Sequence, residues 1–316
     1  MRNAFLDALF DIALVDQRVT FITGDLGYRV VEKFMEQRPR QFLNAGVAEA
    51  NMTGLAAGMA LSGKVVFTYS IANFPTLRCL EQIRNDVCYH DANVKIVSIG
   101  GGFAYGSMGA THHAIEDLAI MRALPNLAVV APGDPVETRA ATRALVAHQG
   151  PCYLRLGKAG EPTVHSGPID FRLGKAIRLR EGSDLTLVST GGMLQTAVKV
   201  ADRLAADNLK ARVVSMHTLK PLDDEEVLAA LQETGALFTL EEHSVVGGLG
   251  GAVAEIVAEV APRGALFKRL GMPSIFSPHM GSQEYLLAQH GLDADSVART
   301  VLAVLHGAGG RSRAGA

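Results

Sequence analysis

Short apolar runs and longer stretches of helical spacing take turns along this chain. Val19-Thr20-Phe21-Ile22-Thr23 stops at Gly24-Asp25, and further apolar runs follow at 64–68, 94–99 and 127–131. Apolar runs of this length, bounded by turn residues, read as strands. Helical spacing fills 49–62, about 76–90, 115–123 and 134–148. Strands that are apolar throughout and alternate with helices predict a parallel sheet covered on both faces. The rhythm breaks at 159–172, where Gly160-Glu161-Pro162 and Ser166-Gly167-Pro168 mark a linker. A second series then begins: strand 185–190, helix 193–206, strand 211–215, helix 223–234, strand 236–241 and helix 248–261. The pattern therefore predicts two parallel-sheet α/β domains, at 1–168 and 172–307, and a Gly- and Arg-rich tail at 308–316 that frays.

Ligands of open α/β sheets sit beyond the carboxyl ends of the strands. Asp25, Phe74, the loop Gly100 to Gly109 and Lys158 all follow strands, so they are expected to converge on one rim. Composition narrows the classes. The 316 residues suit two domains, and 48% apolar with 20% charged residues is ordinary for a globular protein. A net charge of -2 with no basic stripe argues against a nucleic-acid partner. No run is long and apolar enough to span a bilayer, and Met1 to Leu6 opens an amphipathic helix rather than a leader. Cys79, Cys88 and Cys152 share no metal-ligand spacing, and their odd number argues against a disulfide framework. A reducing cytoplasm is the expected compartment.

Glu49 carries the most chemistry. It is a lone acid at the head of a helix made almost wholly of Ala, Gly, Leu and Met. A carboxylate there gains from the helix dipole. The sharper reading is an acid in a dry pocket that shares a proton with an aromatic base.

The stretch Gly46-Val47-Ala48-Glu49 with its small-residue helix is followed by Val65 to Phe74, then by Glu81-Gln82-Ile83-Arg84-Asn85 and by Gly109-Ala110-Thr111-His112-His113-Ala114-Ile115-Glu116-Asp117. Arg122-Ala123-Leu124-Pro125-Asn126 and Glu241-Glu242-His243 to Gly251 complete the series. In this order the motifs resemble the thiamin diphosphate enzymes, and the transketolase side of that family in particular. The resemblance implies a pyrimidine-binding fold followed by a transketolase C-terminal-like domain. It implies thiamin diphosphate as cofactor, with Glu49 on N1′ of the aminopyrimidine and Phe74 stacked on the ring beside Ile71. Asp25 and Leu26 would reach the cofactor near a subunit interface. His112 would donate a hydrogen bond or move a proton at the reacting carbonyl. His113 would face cofactor, substrate or interface, and Lys158 would grip a substrate phosphate or carboxylate as a point charge.

Four positions depart from the common pattern. Ile71 stands where Phe is frequent, Ala50 where Gln is frequent, and Gly101 and Met108 stand where transketolases use His and Asp on sugar hydroxyls. The two loop changes imply a donor or acceptor that is less polar or differently shaped than an ordinary sugar phosphate. Arg155, inside a strand, is expected to tie the sheet to a neighbouring acid.

The diphosphate module is missing. No Gly-Asp-Gly occurs anywhere in the chain, so nothing here marks a binding place for diphosphate and Mg²⁺. The resemblance then implies the B half of a split transketolase, inactive alone. Its partner would be an N-terminal, diphosphate-binding A half that mainly holds the Mg²⁺, in a heterotetramer built round a dimer of B halves. The implied reaction moves a two-carbon ketol or acyl unit from a sugar or 2-oxo acid donor to an aldehyde. A decarboxylating relative, like deoxyxylulose-phosphate synthase or a 2-oxoacid dehydrogenase β subunit, and a non-catalytic scaffold stay open as alternatives.

Overall fold

The computed structural model describes residues 1–260 and 266–313, with side chains described to residue 307. The first half is built from α1 (Arg2–Val15), β1 (Val19–Thr23), α2 (Glu32–Gln37), β2 (Phe42–Asn44), α3 (Glu49–Leu61), β3 (Val65–Ile71), α4 (Leu80–Gln82), β4 (Val94–Ile99), α5 (Asp117–Ala123), β5 (Ala128–Val130), α6 (Pro135–Ala147) and β6 (Cys152–Leu156). The second half contributes β7 (Ile177–Arg180), β8 (Leu185–Ser189), α7 (Met193–Ala206), β9 (Ala211–Ser215), β10 (Thr218–Lys220), α8 (Asp224–Glu233), β11 (Ala236–Ser244), α9 (Leu249–Val260), β12 (Leu266–Met272), α10 (Gln283–Gln289) and α11 (Ala294–Arg313). The last helix thus runs past residue 307, where the sequence pattern ended the second domain. Residues 314–316 of the expected tail lie outside the described residues.

Two parallel-dominated sheets result, each with helices on its faces. The seven-stranded sheet has the order β10-β5-β6-β4-β3-β1-β2, and the five-stranded sheet β12-β11-β8-β9-β7. Two edge strands break the expected parallel rule. β10 crosses from the second half to pair antiparallel with β5, and β7 runs antiparallel to β9. Both are short, so their few residues carry no period long enough to read from sequence.

β1, β3, β4 and β6 lie centrally and are buried almost throughout, as covered parallel strands must be. One face of the first sheet packs Phe5, Leu9 and Phe10 of α1 against Phe21, Phe67 and Tyr69. The other face joins a core that includes Val188, Val214 and Leu237 of the second half, so the two sheets share apolar contact.

The direction of winding fixes the site. β2 lies on one side of β1 and β3 on the other. Such a reversal opens a crevice beyond the carboxyl ends of the strands. α3 starts at that crevice. Its small side chains Ala56, Ala57 and Ala60 are buried with Met52 and Thr53, which lets the helix lie close to β3.

The helix expected over 76–90 is broken into a 3-10 turn (Leu77–Cys79), α4 and a π-helical turn (Ile83–Cys88). Local side-chain bonds compete with the regular ladder there. Thr76 donates its hydroxyl to the Ala72 carbonyl at 3.0 Å, and the Cys79 thiol reaches the Phe74 carbonyl at 3.3 Å.

Candidate active site

Glu49 opens α3 with only 2% of its surface exposed. No side chain caps this helix, and Glu49 stands in its first turn, where the helix dipole favours a carboxylate. One oxygen, Oε2, accepts from Arg78 Nη1 at 2.8 Å. The Arg78 side chain is 51% exposed and reaches in from solvent. Asp25 sits nearby after β1 in the left-handed region at φ 58°. Its Oδ1 accepts from Asn44 Nδ2 at 2.9 Å, and Asn44 Oδ1 in turn accepts from the Asp25 backbone N–H at 3.0 Å. That reciprocal pair clamps the turn and leaves Asp25 exposed, with Leu26 half-buried beside it.

Phe74 follows β3 by three positions. The chain turns at Ala72, whose φ of 37° is tolerated because Ser98 and Thr76 both donate to its carbonyl. The half-buried Phe74 ring carries the Arg78 guanidinium over it, with Cζ 4.8 Å from the centroid. His112 meets the same ring edge-on at 5.3 Å. Ile71 ends β3 half-buried, and its carbonyl accepts from the Phe74 N–H at 2.9 Å.

The Gly-rich loop after β4 closes on itself. Gly102 and Ala114 exchange both backbone hydrogen bonds, at 2.8 and 3.0 Å. His113 is buried under the loop, 3% exposed, and donates from Nε2 to the Gly106 carbonyl at 3.1 Å. Its ring lies edge-on to Phe103 at 5.0 Å. The structure therefore places His113 behind the loop as its support, while its neighbour His112 faces the rim. His112 Nδ1 and Thr111 Oγ1 are 2.9 Å apart. With the hydroxyl donating, the proton sits on Nε2. Tyr105 lies 6.4 Å from His112, and Lys158 Nζ hangs 4.8 Å over the Tyr105 ring. Burial pushes the Tyr105 hydroxyl above its ordinary range, so it stays neutral. Glu49, Arg78, Phe74, His112, Tyr105 and Lys158 form one continuous rim.

Beneath the loop lies a buried polar layer. Arg155 donates from Nε to Asp117 at 2.9 Å and from Nη2 to the carbonyls of Ala114 and Glu242, each at 2.9 Å. Glu242, from β11, accepts from the Phe103 N–H at 2.8 Å and from Gln283 Nε2 at 2.8 Å. Burial raises the Glu242 carboxyl's affinity for a proton. The second domain thus holds the loop from below. This layer also explains Gly101: a Cβ there would lie 2.5 Å from Arg155 Nε, leaving no space for a histidine. Met108, by contrast, is exposed at the tip of the loop.

The parts played by Arg78, Tyr105 and the supports Asp117 and Glu242 are not evident from the sequence. The one signal for Arg78 is its position four residues after Phe74. Glu242 gives none, because its contact spans 139 residues of chain.

The rim fits the aminopyrimidine of thiamin diphosphate. A flat cation already lies on the Phe74 ring and donates to the buried Glu49 carboxylate, which is what a protonated aminopyrimidine would do. Among the described residues no group of three or more His, Cys, Asp or Glu could hold a metal ion. Among the same residues no helix is long and apolar enough to cross a membrane.

Comparison with known proteins shows the family. The transketolase pyrimidine-binding domain matches residues 1–161, and the transketolase C-terminal domain matches residues 174–297. The chain belongs to the transketolase family. A 6-deoxy-6-sulfo-D-fructose transketolase subunit of Clostridium sp. (strain MSTE9) is 39% identical over 300 residues, 95% of this chain and 92% of the relative. The B component of the apulose-4-phosphate transketolase of Phocaeicola vulgatus is 37% identical over 303 residues, 95% of this chain and 96% of the relative. A solved split gene transketolase, an inactive beta4 tetramer, matches with a TM-score of 0.89 at 39% identity, covering 96% of this chain and 98% of that chain.

Proposed function

We propose that this chain is the B half of a two-component, thiamin diphosphate-dependent transketolase that moves a two-carbon ketol or acyl unit to an aldehyde acceptor. One observation carries the reading: the buried Glu49 carboxylate is bonded to a planar cation that rests on Phe74. Thiamin diphosphate, when bound, supplies the carbon nucleophile that this protein's side chains lack. Glu49 holds the proton of the ring nitrogen, and Phe74 offers the flat apolar face on which the pyrimidine lies. Ile71 packs at the foot of that seat, and the clamped turn of Asp25 and Leu26 borders it.

His112 presents Nε2–H to the carbonyl oxygen of donor or acceptor and moves its proton. Lys158 attracts a substrate phosphate or carboxylate. His113 acts on substrate only through the loop it holds. Gly101 and Met108 remove two polar contacts from the mouth, which favours a donor with fewer hydroxyls to recognise there. The diphosphate and Mg²⁺ belong to a partner subunit that carries the Gly-Asp-Gly module absent from this sequence. Two chains of each kind would form the working heterotetramer. The three cysteines are free and buried, in keeping with a cytoplasmic enzyme.

Replacing Glu49 with Gln in the co-purified pair tests the assignment. Loss of at least 100-fold in turnover, with unchanged folding and assembly, is expected. Turnover within threefold of wild type would refute it.

A further inference from the structure

We infer that Arg78 competes with the aminopyrimidine for its seat on Glu49 and Phe74 and must swing out for the cofactor to bind. The inference rests on the thiamin diphosphate reading above, which uses Arg78 only as a stand-in for the ring and gives it no role of its own.

The guanidinium makes both contacts that define the seat. It donates to Glu49 Oε2 at 2.8 Å, and its Cζ stands 4.8 Å above the centre of the Phe74 ring. A pyrimidine ring on Phe74 with its nitrogen on Glu49 would meet the guanidinium at that carboxylate and that ring, so the two compete for the seat.

The pairing has a physical reason. Glu49 is 2% exposed, and a buried carboxylate without a partner is destabilising. An arginine supplies a planar cation with fixed N–H directions, which suits a carboxylate and an aromatic face at once. The route out is open. Arg78 is 51% exposed, and it sits in the short 3-10 turn Leu77–Cys79, ahead of α4 and the π-helical turn. Its side chain can leave without repacking the core. Arg78 therefore pairs the buried Glu49 carboxylate and competes with the cofactor for it.

Competition of this kind weakens apparent affinity by the fraction of time the seat is free. Isothermal titration of Mg²⁺–thiamin diphosphate into the complex of this chain with its diphosphate-binding partner reads that fraction. Arg78→Ala should bind the cofactor at least 10-fold more tightly than wild type and associate faster. Arg78→Lys, which keeps the charge and loses the planar fork, should fall between. In a Glu49→Gln background Arg78→Ala should gain less than threefold, because the guanidinium is no longer held. The free Arg78→Ala chain should also melt at a lower temperature than wild type. Unchanged or weaker binding by Arg78→Ala would overturn the inference, as would a full gain in the Glu49→Gln background. Absence of any cofactor binding by the wild-type complex would instead sink the thiamin diphosphate reading itself, and the inference with it.

Discussion

Asp117→Asn tests whether the loop that carries His112 stands on a buried charge pair. Asp117 is 0% exposed and Arg155 5% exposed. The carboxylate accepts from Arg155 Nε at 2.9 Å and from the Tyr153 hydroxyl at 2.6 Å, both at Oδ2. An asparagine keeps the shape and removes the charge, leaving the buried guanidinium hydrogen-bonded to carbonyls only, with the Glu242 carboxyl as the remaining acid that acts on it. Breaking one side of a buried pair costs about 3–5 kcal/mol. Arg155→Met should be similar, since it strands Asp117 and also frees the carbonyls of Ala114 and Glu242. The double variant Arg155→Met/Asp117→Leu removes both charges, so it should lose less than the sum by about 2–3 kcal/mol. Urea unfolding of the free chain, followed by circular dichroism, measures this as midpoint shifts at constant slope. Single variants below about 1 kcal/mol, or a double variant equal to the sum, would refute the reasoning.

Two further predictions concern pH and the loop glycines. Burial raises the Glu241 carboxyl from 4.5 to about 7, although it caps α9 through the N–H groups of Leu249 and Gly250. The folded chain keeps that proton where the unfolded chain has lost it, so this stability is full below pH 4.5 and is lost as pH rises through 7. Burial lowers His217, stacked on Phe171 at 4.0 Å, from 6.5 to about 4, and its stability is full above pH 6.5 and lost as pH falls through 4. The slopes oppose each other at up to about 1.4 kcal/mol per pH unit. Relative to wild type, Glu241→Gln should therefore make melting temperature rise more steeply from pH 4.5 to 6.5, and His217→Gln should make it fall; parallel profiles for all three would contradict both assignments. Gly102→Ala would set a Cβ 2.3 Å from Glu242 Cδ at a φ of +67°. A loss of at least about 1–3 kcal/mol is expected, read by thermal unfolding, and a neutral result would contradict the tight packing of loop on β11.

The alternation of apolar runs and helices is enough for the main parallel strands, since β1 and β9 fall where their residues predict. The short strands β2, β7 and β10 are not legible, because pairing rather than pattern makes them strands. The helix predicted over 76–90 is wrong in its regularity, because spacing does not show that Thr76 and Cys79 bond back to the chain. Arg155 reads from sequence as tied to an acid, and the structure names that acid as Asp117. Glu49 and Phe74 stand out locally, as an acid heading an apolar helix and an aromatic ending a strand. Arg78 does not, because its meaning depends on two partners brought together by the crossing from α3 to β3. His113 looks equivalent to His112 in sequence, and only the closing of the loop at Gly102 and Ala114 sets them on opposite sides.

The proposed function divides the cofactor site, one half in this chain and the other half in a partner. Calorimetric titration of Mg²⁺–thiamin diphosphate into this chain, into its diphosphate-binding partner and into their equimolar complex measures that division directly. Saturable binding with one cofactor per pair should appear in the complex alone. Equally tight binding by this chain without the partner would contradict a divided site.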